Sequence, residues 1–436
     1  MKKTTLIIAS AILCCNNLFS QTAGQKKILF DNTHSETAGS GDWCIDSDLQ
    51  NMTWYAAGQT GSGGSYYHAN PQQYPTPTQT AVTSATAETY WNGALSYWGI
   101  DCVNKGYWVE TLPYTGHISY GSTNTQDLSK YDIFVVDEPN ILFTTSEKTA
   151  IMDFVKNGGS LFMISDHTGS DRNNDGYDSP AIWNDLITNN AIQNNAFGFK
   201  FDLQNFSDGN GTQTSGGNPN VSTISTDSIT KGSFGTVSRV KWSNGTCMTM
   251  TPSQNNKVKG HAWKNGKGQA DTAVVCVTSQ YGCGKVAAIG DSSPPDDGTG
   301  NTGSSGQITL YNGYTGDVGQ NHRDLLMNMM IWLATKPACT ATGINFITES
   351  NELNVYPNPA NGKVEINFAN NSENNAVLSL INMNGQVVNT AQTHQKNNNQ
   401  DVFTIDTTPL AAGVYYCKVQ VADKMSIKKL VVLNNN

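Results

Sequence analysis

The chain has 436 residues, and 26 Lys and Arg stand against 35 Asp and Glu for a formal net charge of −9. That acidic balance argues against tight non-specific binding to nucleic acid or anionic lipid. The length suits two folded units behind a leader.

The first residues read as a secretory signal peptide, residues 1–21. Met1-Lys2-Lys3 is a basic start, Leu6 to Leu13 a short apolar stretch, and Leu18-Phe19-Ser20-Gln21 a cleavage region. The apolar stretch falls well short of the ~20 residues that span a bilayer. Cleavage removes Lys2 and Lys3 and takes the charge from −9 to −11. An exported chain with no transmembrane segment is expected.

An α/β unit is expected over residues 22–337. Four apolar runs in it each stop on an acidic residue: Ile28-Leu29-Phe30-Asp31, Ile133-Phe134-Val135-Val136-Asp137-Glu138, Leu161-Phe162-Met163-Ile164-Ser165-Asp166-His167 and Val286-Ala287-Ala288-Ile289-Gly290-Asp291. Short continuous apolar runs predict parallel strands covered on both faces. Ligands of such sheets bind outside the carboxyl ends of the strands. The predicted site therefore gathers Asp31, His34, Asp137, Glu138, Asp166, His167 and Asp291 on one rim. Clustered carboxylates repel, which raises a pKa or calls for a cation, and either outcome serves hydrolysis. The bland alternative for each Asp is a turn former, and for His167 a backbone-satisfied side chain.

Between the runs, Asn51 to Thr89 is a polar and aromatic insertion; Trp54, Tyr55, Tyr66, Tyr67, Tyr90, Trp91 and Trp98 are candidate sugar-stacking platforms, with burial in the core the competing reading for at least half of them. Glu88 to Trp98 is predicted helical. Thr144-Thr145-Ser146-Glu147 predicts a helix start, followed by Ala150, Ile151, Phe154 and Val155 at helical spacing and a stop at Asn157-Gly158-Gly159. Asp171, Asn173, Asp175 and Asp178 lie in a loop with Gly176 at position six, matching the first half of an EF-hand calcium loop. Ile182 stands where the bidentate Glu belongs, so a variant calcium site competes with a plain Asn/Asp turn. Residues 190–270, rich in Asn, Gly, Ser and Thr, read as an insertion of strands and loops, and Asn321 to Ala334 as the last helix. Seven cysteines lie beyond the leader, and export favours disulfides. Cys276 and Cys283 flank a hairpin turn at Gln280-Tyr281-Gly282 and form the candidate local pair. A linker, 338–352, precedes a small antiparallel β-sandwich, 353–436, with alternating strands.

Two resemblances add to this reading. Val355-Tyr356-Pro357-Asn358-Pro359, Asn384-Gly385-Gln386-Val387-Val388, Leu410-Ala411-Ala412-Gly413-Val414-Tyr415-Tyr416 and Lys428-Lys429-Leu430-Val431-Val432 resemble the type A sorting domain of the Bacteroidetes type IX secretion system. That resemblance implies passage across the outer membrane and contact with the type IX machinery. The larger unit, through Phe154–Phe162, Gly284–Asp291 and the Leu325–Leu333 helix, resembles the class I glutamine-amidotransferase-like superfamily near its ThuA-like branch. This implies a mostly parallel, doubly wound, flavodoxin-like sheet. The family's nucleophilic cysteine is missing, because Phe162–Ile164 runs on into Ser165-Asp166-His167, so glutamine hydrolysis is not implied. The resulting expectation is a secreted hydrolase of an extracellular polymer, with glycan favoured, using Asp, Glu and His at strand ends with calcium support. A non-catalytic sugar- or metal-binding surface protein and a metal-dependent nuclease or peptidase are the alternatives.

Overall fold

The computed structural model describes residues 24–38, 41–45, 79–91, 93–113, 115–213, 220–299, 302–303, 306–307, 311–336, 353–370, 376–382, 387–388, 392–397, 399–421 and 424–433. The chain divides into two compact units, Met1–Cys339 and Thr340–Asn436. Among the described residues no helix is long and apolar enough to cross a membrane.

The first unit is a mixed α/β structure. Its strands are β1 (Lys27–Asp31), β2 (Trp108–Leu112), β3 (Ile133–Asp137), β4 (Ser160–Ile164), β5 (Phe199–Gln213), β6 (Arg239–Met250), β7 (Lys259–Trp263), β8 (Val274–Tyr281) and β9 (Gly284–Ile289). They form one sheet in the order β2-β1-β3-β4-β9-β8-β6-β5, with β7 also on β8. The segment from β2 to β9 is parallel, and the strands beyond β9 are antiparallel. Residues 190–270 thus extend this same sheet, because β8 pairs with both β9 and the strands of that region.

The apolar runs form strands because both of their faces are covered. Ile28, Phe30, Ile133, Val135, Phe162, Ile164, Ala287 and Ile289 share one core with α1 (Ser96–Asn104) and α4 (His322–Ala334). Leu29, Phe134, Val136, Leu161, Met163, Val286 and Ala288 share the other with α2 (Thr145–Lys156) and α3 (Ser179–Thr188). Thr144 and Glu147 close a capping box on α2. Gly158, at φ +106°, takes the left-handed turn that returns the chain directly into β4. The predicted Glu88–Trp98 helix is displaced: Glu88–Tyr90 is one 3₁₀ turn and α1 begins at Ser96. Trp91 and Trp98 are buried, so they serve the core; Trp54, Tyr55, Tyr66 and Tyr67 lie outside the described residues.

Cys44, Cys102, Cys247, Cys276 and Cys417 are free thiols. The expected Cys276–Cys283 pair is not formed. Cys276 sits deep on β8 opposite Ile289, its Sγ 3.8 Å from Met329 Sδ, whereas Cys283 belongs to the turn. Cys283 is disulfide-bonded to none of these five.

The second unit has β10 (Leu353–Tyr356), β11 (Lys363–Ala369), β12 (Val377–Asn382), β13 (Val387–Val388), β14 (Gln392–Asn397), β15 (Gln400–Asp406), β16 (Gly413–Val421) and β17 (Lys424–Val432). Two antiparallel sheets, β10-β11-β15-β14 and β13-β12-β16-β17, share one core, and inward and outward residues alternate along β10 and β11. Asn358 donates to Lys429 O at 2.6 Å and accepts from Val431 N at 2.9 Å, which fastens the Tyr356–Pro359 stretch to β17.

Candidate active site

Parallel pairing in register puts the last residues of β1, β3, β4 and β9 at one edge of the sheet. Asp31, His34, Asp137, Glu138, Asp166 and Asp291 are all buried there, and His167 is partly exposed. Two groups can be distinguished, joined by Asn140. Its Nδ2 donates to Ser35 O, Thr37 O and Glu138 O at 2.7, 3.1 and 2.9 Å, and its backbone N donates to His34 O at 2.8 Å.

The first group follows β1. His34 Nδ1 lies 3.2 Å from Asp31 Oδ2, its Nε2 3.5 Å from Glu147 Oε2 on α2, and its ring packs on Phe143 at 4.3 Å. Burial opposes a charged ring, but the Asp31 and Glu147 carboxylates outweigh it and raise the His34 pKa to about 9. Burial would raise Glu147, yet its contact with His34 brings it down to about 2. Glu36 accepts the His34 backbone N–H on both oxygens, at 3.1 and 3.0 Å. Burial, and then the charge of Asp31, push Glu36 well above the carboxylate range. Asp31, His34 and Glu36 each offer a ligand atom within 4.8 Å of the others. A protonated His34 is no metal ligand, so this trio would have to lose a proton before taking an ion.

The second group follows β3, β4 and β9. Glu138, at φ +46°, occupies a backbone region that is strained for a side-chain-bearing residue. Its carboxylate accepts from Trp43 Nε1 at 2.7 Å, Ser292 Oγ at 2.9 Å, and Arg172 Nη2 and Nε at 3.0 and 3.2 Å. Arg172 Nη2 is also 3.4 Å from Asp166 Oδ2. Burial raises Asp166 well above its ordinary range, and the Glu138 and Asp291 charges and a side-chain hydrogen bond to Glu138 add to the rise, while Arg172 opposes it. Asp137 is 2 % exposed and neither oxygen has a hydrogen-bond partner. Burial, then Glu138, Asp296 and Asp291, lift its pKa far up. Asp291 is raised chiefly by burial, although Ser293 N at 2.8 Å and Ser243 N at 2.6 Å donate to it.

His167 has a defined tautomer. The Thr168 carbonyl oxygen, 2.8 Å from Nδ1, can only accept, so Nδ1 carries the proton and Nε2, 3.5 Å from Asp166 Oδ2, is left as a base. The site can thus supply an acid, a base and a guanidinium to stabilise developing negative charge.

In the Asp171–Asp178 turn the acidic side chains accept backbone amides. Asp171 oxygens accept from Asp175 N at 3.1 Å and Gly176 N at 2.9 Å, and Asp175 Oδ1 accepts from Tyr177 N at 2.9 Å. Asn173 donates to Asn140 O at 2.7 Å, and Asp178 caps α3 and accepts from Gly169 N at 2.7 Å. The turn thereby projects Arg172 into the carboxylates. Sequence reasoning passed over Arg172, although a lone basic residue inside an acidic turn beside an acidic rim was a usable signal. It also passed over Trp43. His322, at the start of α4, is held by backbone groups of Gly313 and Lys241.

No curated protein matches the chain. One solved structure, titled "mmIFT52 N-terminal domain", overlaps 58 % of this chain and 96 % of its own, with 8 % identity and a TM-score of 0.36, a likeness too weak to argue from. Residues 354–433 match the model of the secretion system C-terminal sorting domain, which marks the chain for secretion to the cell surface or beyond.

Proposed function

We propose that the first unit is a hydrolase acting on an extracellular polymer, with glycan the favoured class, on an amidotransferase-like scaffold without that family's nucleophile. The strand order β2-β1-β3-β4-β9 and the helices on both faces support the scaffold reading. The observation that carries the chemistry is the buried Asp166, driven toward its protonated form beside the partly exposed His167 and under Arg172. His167 Nε2 takes a proton from water, the water oxygen attacks the substrate, and Asp166 gives its proton to the departing oxygen. Arg172, held by Glu138, stabilises the negative charge that develops.

For a glycosidic bond the acid and its partner carboxylate stand about 5 to 9 Å apart. Asp166 and Glu138, in hydrogen-bond contact, are too close for that pair. On the glycan reading Asp166 remains the acid, and Asp31, across Asn140, takes the place of His167 as the base. Calcium bracing at Asp171, Asn173, Asp175 and Asp178 belongs to the same proposal. A rise in melting temperature of the full chain with millimolar calcium over chelator supports it, and no rise removes it.

A second reading rests on Asp137: a buried carboxyl with no partner suits a cation, as in a metal-dependent nuclease or peptidase. The test is turnover on polysaccharide, peptide and nucleic-acid panels, with and without chelator. Asp166→Asn should lower kcat about 100-fold or more while the fold persists. Undiminished turnover in Asp166→Asn overturns the assignment. Saturable sugar binding without turnover in the wild type would favour the non-catalytic binding alternative.

A further inference from the structure

Far from the rim residues in sequence, three side chains from separate segments meet in a line. Asp227 lies between β5 and β6, His261 on β7 and Thr278 on β8. His261 Nδ1 is 2.9 and 3.0 Å from the two Asp227 oxygens, and its Nε2 is 2.7 Å from Thr278 Oγ1. Asp227 accepts at Nδ1, so that nitrogen carries the proton and Nε2 accepts the Thr278 hydroxyl. This is the order of partners that activates a hydroxyl nucleophile.

The backbone around His261 is irregular in a telling way. Between the pairs Cys276↔Ala262 and Val277↔Gly260 the register shifts, which leaves His261 as the extra residue of a β-bulge. Bulges re-aim a side chain, and they recur beside active sites. All three residues line one cavity of about 400 Å³, whose wall also includes Trp263, Lys257 and Lys259. Burial opposes the charge on Asp227, yet the bond from His261 leads the contacts that hold its pKa below the usual carboxylate range.

We propose that Thr278, His261 and Asp227 form a second hydrolytic centre, which cleaves small carboxylic esters. Thr278 Oγ1 attacks the ester carbonyl carbon while His261 Nε2 takes the hydroxyl proton. The carbon–oxygen bond to the alcohol breaks, and His261 returns the proton to the departing alkoxide. A water, deprotonated by His261, then attacks the acyl carbon; the bond to Thr278 Oγ1 breaks, the acid leaves, and His261 returns the proton to the Thr278 oxygen. Asp227 is a positioning residue that fixes the His261 tautomer. Lys257 and Lys259 bring positive charge to the cavity wall, and the cavity volume limits the ester to a small one.

The experiment uses the full chain with p-nitrophenyl acetate and a β-lactone probe, and peptide mass spectrometry locates the adduct. Acyl label on Thr278 is expected, lost in Thr278→Ala and kept in Thr278→Ser. His261→Ala should slow ester turnover about 100-fold or more. Asp227→Asn retains an acceptor oxygen for the Ile229 and Thr230 amides, and should lower kcat with KM unchanged. Wild-type protein that melts cooperatively but carries no adduct at Thr278, or ester turnover undiminished in Thr278→Ala, overturns the proposal. Because the label is read at one residue, an inert rim leaves the result readable.

Discussion

Acidic side chains at the strand ends and acidic side chains in the Asp171–Asp178 turn have the same chemistry and opposite surroundings. In the turn, backbone amides point at Asp171 and Asp175, because a tight turn leaves N–H groups without carbonyl partners. At the strand ends apolar layers cover both faces, and donors are unevenly shared: Asp291 accepts the Ser293 and Ser243 amides, whereas Asp137 accepts none. Asp137 is then left with no donor, and Asp166 with a shared proton and an arginine. Backbone amides satisfy the carboxylates of the turn, whereas at the strand ends burial raises the pKa of Asp137 and of Asp166.

The largest expected effect breaks the contact between the two regions. Arg172→Met leaves Glu138 and Asp166 buried without their cation, at a cost of about 3 kcal/mol. Thermal melting should fall by several degrees. An unchanged melting temperature would show that the turn and the rim are energetically separate.

Next comes pH. Burial raises Asp296 to about 8 and Asp297 to about 7, and His34 stands at about 9 despite its burial. Carboxyls raised above their unfolded values bind more protons when folded, so their contribution is complete below about pH 4 and is lost on rising to 8. The His34 contribution is complete below about 6.5 and is lost on rising through 9. Calorimetric stability should therefore decline from pH 5 to pH 9, and Asp296→Asn should flatten the lower part of that slope. A stability that rises over this interval contradicts the burial argument.

A smaller effect sharpens the same point. Asp137→Asn replaces a carboxyl by a neutral group of equal size, so melting at pH 5 should hardly change while melting at pH 9 should rise. The smallest expected effect is in the turn. Asp178→Ala removes the α3 cap and should cost about 1 kcal/mol in thermal melting.

The rim was legible because Ile28–Phe30, Ile133–Val136, Leu161–Ile164 and Val286–Ile289 announce buried strands and each is followed by an acid. Strand β2 was harder to see, since Trp108-Val109-Glu110-Thr111-Leu112 mixes polar and apolar residues and owes its place to pairing with β1. Arg172 was missed because a turn read for its oxygens conceals the one side chain it aims elsewhere. Asp227, His261 and Thr278 meet only through a register shift in β7, and no local pattern records a bulge.

The Asn358 contacts to β17 have a consequence for whatever recognises the sorting module. The proline-rich stretch lies about seventy residues from the strand that holds it in shape. Anything that binds Val355–Pro359 therefore meets a surface assembled from both ends of the module. A short synthetic peptide of that stretch, free to sample many conformers, should compete poorly with the intact module.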